Sequence, residues 1–459
     1  MKFHHLITAI VLAVGAFAQV NPVPTINGPV IPQAVVPGSA GFTLTVHGAN
    51  FIPGAVVNWN GSARSTTYVS TGQLQAQIPA SDVTTAGSAL VTVTNPAPGG
   101  GLSSSSFGAI EIHQPVASMM LTQPKKYAGT TGISQLFTAD LNGDSKQDLI
   151  VLGAGISVLI SNGDGTFTRS ASISLGNQPT GLSFGDFNGD SKEDFSFTIP
   201  NRGLAFVALG DGTGKFQLQR GFGNFQMPAQ TVAGDFNRDG KLDLAVEASD
   251  GVYVLLGNGD GSFQTQQSAS SVSFPFSLTA ADFNGDGILD LAFVDGKDGL
   301  IAVSLGNGDG TFHPPIESQQ SGSAQTLGIS DFNGDGKLDF VVEASGVGAP
   351  IGVFLGNGDG TFQPPQFYST GLANDLTSIA VGDFNSDGNV DVFGYGSQVF
   401  LAGFLAGNGD GSFQRARRLT VPGPLFKLQP VIGDFNSDGL LDFAVGLKNG
   451  SEVFLQAPQ

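Results

Sequence analysis

The chain has 459 residues, 67 of them glycine and 12% charged, with no cysteine and a net charge of −19. An acidic surface excludes a nucleic-acid partner, which needs a basic face. The missing thiols exclude disulfides, zinc–thiolate sites, thiol catalysis and a lipid anchor on cysteine. The length suits two or three domains. No long segment carries a 3.6-residue apolar period, so short strands and tight turns are expected, with few helices.

The first element is Met1–Ala18. Lys2 precedes an apolar stretch, Leu6–Phe17, that is too short to span a bilayer. Ala16-Phe17-Ala18 fits a small-x-small cleavage site. Residues 1–18 are therefore predicted to be a signal peptide, with the mature chain starting at Gln19. The protein is expected to be secreted, periplasmic or on the cell surface. No later apolar stretch suits membrane insertion.

Residues 19–114 alternate like half-buried strands. Phe42, Leu44 and Val46 alternate with Thr43 and Thr45, and Val56–Trp59 runs into a turn at Asn60-Gly61. Leu90–Val93 and Phe107–Ile112 flank a loop over Pro96–Gly101. Short strands with frequent turns predict an immunoglobulin-like β-sandwich. Trp59 is the only tryptophan and is read as a core residue; His47 is read as a strand residue.

From residue 115 to 459 one unit recurs seven times. Its marker is a nine-residue acidic loop with side-chain oxygens at positions 1, 3, 5 and 9. The copies are Asp140/Asn142/Asp144/Asp148, Asp186/Asn188/Asp190/Asp194, Asp235/Asn237/Asp239/Asp243 and Asp282/Asn284/Asp286/Asp290. They continue as Asp331/Asn333/Asp335/Asp339, Asp383/Asn385/Asp387/Asp391 and Asp434/Asn436/Asp438/Asp442. Successive starts lie 46, 49, 47, 49, 52 and 51 residues apart. A period near fifty with four short strands per unit predicts a seven-bladed β-propeller. In the fifth unit the expected strands are Thr326–Ser330, Leu338–Glu343 and Ile351–Leu355, with a fourth opening at Thr361-Phe362.

A second motif, a Gly-Asn-Gly-Asp-Gly-like turn, appears six times, with its aspartate at 164, 211, 260, 309, 359 and 410. Asn-Gly and Asp-Gly supply the left-handed residues of a tight hairpin. The seventh unit lacks this turn and ends before a fourth strand. Residues near 116–128 resemble a fourth strand and are predicted to complete the last blade. Closing the ring removes exposed sheet edges.

Oxygen donors at positions 1, 3, 5 and 9 select calcium or magnesium over zinc or copper. Position 7 can add a backbone carbonyl. The spacing matches the first half of an EF-hand loop. The twelfth position of the fourth loop is Phe293, however, and the flanks read as strands, so this is not an EF-hand. Three carboxylates in nine residues repel one another, and a divalent ion reverses that. Seven ions would take the net charge from −19 to −5. Ser145 and Ser191 stand at position 6, where the turn favours glycine, and are expected to weaken the first two sites.

The Asp-Phe-Asn-Gly-Asp-Gly loops and Leu-Gly-Asn-Gly-Asp-Gly-Thr-Phe turns resemble the FG-GAP/VCBS repeats, the family of the integrin α propeller. The resemblance covers 115–459. It implies that the loops join the first two strands of each blade and hold up to seven mainly structural calcium ions. Val46–Gly54, Val57–Gly61 and Val91–Pro96 resemble the IPT/TIG family, which implies a spacer or interaction module.

The two regular motifs fall on one face of the disc. The other face varies between units: compare Pro200–Gly203, Asp295–Gly299 and Ala344–Pro350. Variable loops on a rigid scaffold are the expected recognition surface. Beyond the signal peptide only His47, His113 and His313 remain, and no nucleophile–histidine–acid set can be assembled. The expectation is a monomeric, non-enzymatic adhesion or interaction module with an extracellular protein or glycan partner. A lectin and a polysaccharide-active enzyme are the alternatives. Arg415, Arg417 and Arg418 are read as a solvated strand edge, and the sandwich, having none of the acidic loops, as indifferent to the metal.

Overall fold

The computed structural model describes residues 20–27, 30–103, 109–116, 125–127, 132–318, 326–344, 350–372, 376, 378–396, 401–420, 431–447 and 450–456. The expected signal peptide at 1–18, and residues 117–124 and 128 of the expected closing segment, lie outside these residues. Among them the protein is all-β; the helical turns are two short 3-10 segments, Ala80–Val83 and Pro200–Arg202.

Residues 25–112 form a two-sheet sandwich. One sheet orders Thr25–Ile26, Phe42–Ala49, Gln73–Ile78 and Ser65–Ser70. The other orders Ala34–Val35, Ala109–Ile112, Gly87–Asn95, Val56–Trp59 and Ser62–Ala63, with Gly101–Leu102 beside Gly87–Asn95. The alternation seen in the sequence is the cause. Leu44, Val46, Leu74, Ala76, Val91 and Val93 all turn into one core with Trp59. Trp59 meets Phe42 edge-on at 6.4 Å, a favoured aromatic geometry.

The repeats form seven four-stranded antiparallel sheets. In the first, Gln135–Ala139, Asp148–Leu152, Gly155–Ser161 and Phe167–Ser174 follow one another. Each acidic loop joins the first two strands of its sheet. Successive sheets bury their faces against each other. Ile150 and Phe197 share one core between the first two sheets, and Phe384 and Phe443 share another between the sixth and seventh. Leu136 and Val151 of the first sheet pack with Phe435 and Val453 of the seventh, so the ring closes as in a β-propeller. The seventh sheet is completed by Lys125–Tyr127, which pairs with Gly450–Phe454.

One strand differs from its expectation. In the fifth sheet the outer strand is Gln366–Ser369. Phe362 makes only an isolated bridge to Gly356. Pro364 and Pro365 stand between them and have no N–H to give to a ladder.

Candidate metal centres

The acidic loops fold by capping their own backbone. In the fourth loop Asp282 accepts the amides of Gly285 and Asp286 on Oδ1 and that of Gly287 on Oδ2. Asn284 accepts the amide of Asp286 at 2.9 Å, and Asp286 accepts that of Ile288 at 2.8 Å. These are short polar side chains bonding backbone a few residues on, as Asp and Asn do in turns. At position 1 the same pattern recurs at Asp140, Asp186, Asp331, Asp383 and Asp434.

Positions 3 and 5 repeat it in the remaining loops. The side-chain oxygens of Asn142, Asn188, Asn237, Asn333, Asn385 and Asn436 each accept the amide of the position-5 residue. Those residues are Asp144, Asp190, Asp239, Asp335, Asp387 and Asp438. Each in turn accepts the amide at position 7: Lys146, Lys192, Lys241, Lys337, Asn389 and Leu440. Two versions of the loop then diverge. Where position 7 is lysine, its ammonium lies 3.2–3.9 Å from Asp144, Asp190, Asp239 and Asp335. Where it is not, the position-3 amide donates to the other carboxylate oxygen, from Asn284 to Asp286, Asn385 to Asp387 and Asn436 to Asp438. Beside the carbonyl that position 7 can add, its amide, and in four loops its ammonium, face position 5.

The turn uses two left-handed residues, at positions 4 and 6. Ser145 and Ser191 adopt φ of 65° and 62° at position 6, where their loops keep glycine at position 4. Arg238, Ser386 and Ser437 are left-handed at position 4, where their loops keep glycine at position 6. Each loop thus retains a glycine at one or both of its two costly positions. The requirement at position 4 was not read from the sequence.

Position 9 has a role beyond the one expected. All seven of these aspartates are fully buried. Asp290 accepts the amide of Phe283 on Oδ2 at 2.9 Å and that of Gly306 on Oδ1 at 2.8 Å. Asp148 does the same with Leu141 and Ser161, and Asp194 with Phe187 and Gly210. Asp243, Asp339, Asp391 and Asp442 repeat the pair of bonds. Each therefore pins the start of its loop to the end of the third strand. Burial pushes the carboxyls of Asp243, Asp290 and Asp442 up to about 8, and the position-1 and position-5 carboxylates nearby push the same way. At position 1, burial lifts Asp235, Asp282 and Asp434 to about 6.

The four side chains expected to hold the ion divide their hydrogen bonds between the turn and the core. Among the described residues, no three His, Asp or Glu side chains converge as a closed metal-binding group. The reason is the same in every loop. Oxygens at positions 1, 3 and 5 accept amides of the turn, and position 9 faces amides in the core. The donor chemistry still fits a hard divalent cation: oxygen donors, with carboxylates that repel each other in its absence. Asp, Asn and Asp at positions 1, 3 and 5 would hold it, with position 9 beside them.

The second motif links neighbouring sheets. The amides of Gly261, Gly310, Gly360 and Gly411 each donate to a position-2 carbonyl of the preceding sheet: Phe187, Phe236, Phe283 and Phe332. Gly165 donates to Phe435, which joins the first sheet to the seventh. The seventh sheet lacks the turn. There the side-chain amide of Gln456, 1% exposed, donates to Phe384 O at 3.1 Å and takes the missing glycine's place.

The sandwich contains none of these loops but contacts them. It sits on them. Val23 N donates to Asp235 Oδ2 at 2.8 Å, and the Asn50 amide donates to Asp235 O. Thr71 Oγ1 donates to Asp286 O, and Asn50 N donates to Gly287 O. Val116 N donates to Asn385 O at 2.8 Å. The approach needs glycine: a Cβ on Gly287 would lie 2.0 Å from Thr71 Oγ1, and one on Gly439 would lie 2.5 Å from Ile112 O. His47 in the sandwich bonds Gln73. Arg417 and Arg418 lie on the outer strand of the sixth sheet, exposed as expected.

Residues 140–196, 186–246, 235–293, 282–342 and 331–394 each match the FG-GAP-like repeat, together spanning more than half of the chain. The chain belongs to the FG-GAP-like repeat family. Residues 29–108 of this FG-GAP chain match the IPT/TIG domain. No curated protein matches the sequence. Among solved structures, BBS1N in complex with ARL6DN superposes with a TM-score of 0.51 at 9% identity, covering 73% of this chain and 96% of that one. It shares the fold. An Agrocybe aegerita lectin that recognises non-reducing terminal N-acetylglucosamine gives 0.49 at 20% identity, over 80% of this chain and 96% of the lectin. A putative phosphatase from Bacteroides thetaiotaomicron gives 0.42 at 13% identity, over 95% of this chain and 98% of that one. The last two superpositions are too loose to bear on function.

Proposed function

We propose that this FG-GAP chain is an extracellular interaction module. Calcium in its acidic loops is structural, and it grips a protein or glycan partner through the face opposite those loops. It has no catalytic role in this reading. The apolar leader sequence supports export, and the all-oxygen loops support calcium.

One observation carries the choice of face. Phe274 and Met227 are 61% and 59% exposed, in connections that lead into inner strands, and Phe276, 40% exposed, opens one of those strands. Each inner strand runs from this face toward its acidic loop. Phe274 N donates to Ser249 O, and Ser249 N donates to Gln226 O, so the segments lie together. Met227 and Phe274 hold φ of 44° and 52°. A bulky residue in that region costs about 1–3 kcal/mol, a strain that clusters at functional sites. Apolar side chains held out in strained loops suit recognition better than stability.

The test is a glycan array and a pull-down from extracellular matrix or envelope fractions, with and without calcium. Phe274→Ala and Met227→Ala should weaken capture without lowering the melting temperature. Capture that ignores both substitutions and is blocked instead at the acidic-loop face would overturn the reading.

A further inference from the structure

The inner strands of the sheets surround a cavity of about 480 Å³, within the range of small-molecule pockets. Leu278, Ile329, Ile379 and Val431 form apolar walls, and Thr279 adds a hydroxyl. The sandwich closes one end with Val30, Leu90 and Glu111. The cavity is thus built from both domains.

Glu111 lies in the strand Ala109–Ile112 and is 4% exposed, and its Oε2 has no hydrogen-bond partner. Asp383 and Asp434, 3% and 4% exposed, line the same space. No Lys or Arg is among the described lining residues. A buried carboxylate oxygen without a partner is costly, and a cationic group would satisfy it.

Four cations could in principle meet that need. A basic side chain is absent from the lining among the described residues. Calcium in the adjacent loops would leave each three-carboxylate loop still negative. A further bare ion would find no three convergent acids among the described residues, and it would leave most of the cavity unfilled. An organic cation meets both needs, with its ammonium against Glu111 and its carbon chain along the apolar wall. We propose that the axial cavity is a binding site for a small aliphatic amine, with Glu111 of the sandwich as its charge partner and Asp383 and Asp434 beside it.

The test is calorimetric titration of the full chain with 1,4-diaminobutane. Calcium is kept saturating and salt at about 0.15 M to screen exposed acids. One saturable event is expected. Glu111→Gln should weaken it at least about tenfold. Thr279→Phe, which fills the wall and leaves Glu111 intact, should weaken it as well. An absent isotherm in the unmodified chain refutes the site. An isotherm unchanged by Glu111→Gln also refutes it, because the amine would then be binding elsewhere. Calcium titration of the same protein is scored separately, so loops that fail to bind calcium would not be mistaken for an empty cavity.

Discussion

The first and third acidic loops have the same spacing but different surroundings. Asp140 is half-buried and takes its hydrogen bonds from Gly143, Asp144 and Ser145 of its own turn. Asp235 is fully buried, and its Oδ2 is shared between Gly240 of its own turn and Val23 of the sandwich. One loop is a self-contained turn. The other is a turn and a domain interface at once. Identical motifs therefore need not respond alike when the metal or a neighbour is removed.

The largest expected effect is calcium removal. At ten times the dissociation constant each site adds roughly 1.4 kcal/mol, so seven equal sites would add roughly 10 kcal/mol. Calorimetry in calcium and in chelator should show the propeller transition fall steeply. The sandwich transition should fall with it, because Val23 and Asn50 bond the third loop. If the sandwich melts at one temperature in both buffers, the contrast between the docked and free loops is broken.

Next in size is Asp290→Ala. It orphans the buried amides of Phe283 and Gly306 and should cost about 2–5 kcal/mol, with or without calcium. Asp286→Ala in the same loop should matter chiefly when calcium is present. Denaturant titrations of both variants in both buffers would separate backbone staple from metal ligand, and equal behaviour would erase the distinction.

A pH series in chelator reads the same staples. Their folded-state carboxyls are raised, to about 7 for Asp148 and Asp339 and about 8 for Asp243, Asp290 and Asp442. A raised carboxyl binds its proton more tightly folded than unfolded, so stability is full below about pH 4 and lost as pH rises to about 8. The metal-free melting temperature should therefore fall between about pH 5 and 8. A rise over that window would mean the carboxyls are ionised and matched in the metal-free state.

The smallest effects probe single contacts. Gln456→Leu removes the bond to Phe384 O at the seam between the sixth and seventh sheets and should cost about 1 kcal/mol. Thr71→Val removes one bond between the sandwich and the fourth loop and should cost a similar amount, seen as easier proteolytic separation of the domains. A neutral result at Thr71 would mean that the fourth loop, unlike the third, carries the sandwich passively.

Much of the fold could be read along the chain. Alternating apolar residues and Asn-Gly or Asp-Gly turns dictate strands and hairpins locally, and a fifty-residue period dictates stacked units that must pack against each other. The acidic loops were visible for the same reason, since the oxygens at positions 1, 3 and 5 bond amides within a few residues. The local pattern also placed Lys125–Tyr127 in the seventh sheet, by its likeness to another fourth strand. What the tertiary structure decided lies in pairs far apart in sequence. Val23 and Asp235 are separated by 212 residues. Gln456 replaces a backbone amide with a side chain, a substitution that leaves no motif. Glu111 became a buried charge only when the sandwich came down over the propeller's axis. Local spacing fixes a turn because its cost and its reward fall within one short segment. Docking rewards surfaces whose match no short stretch of sequence records.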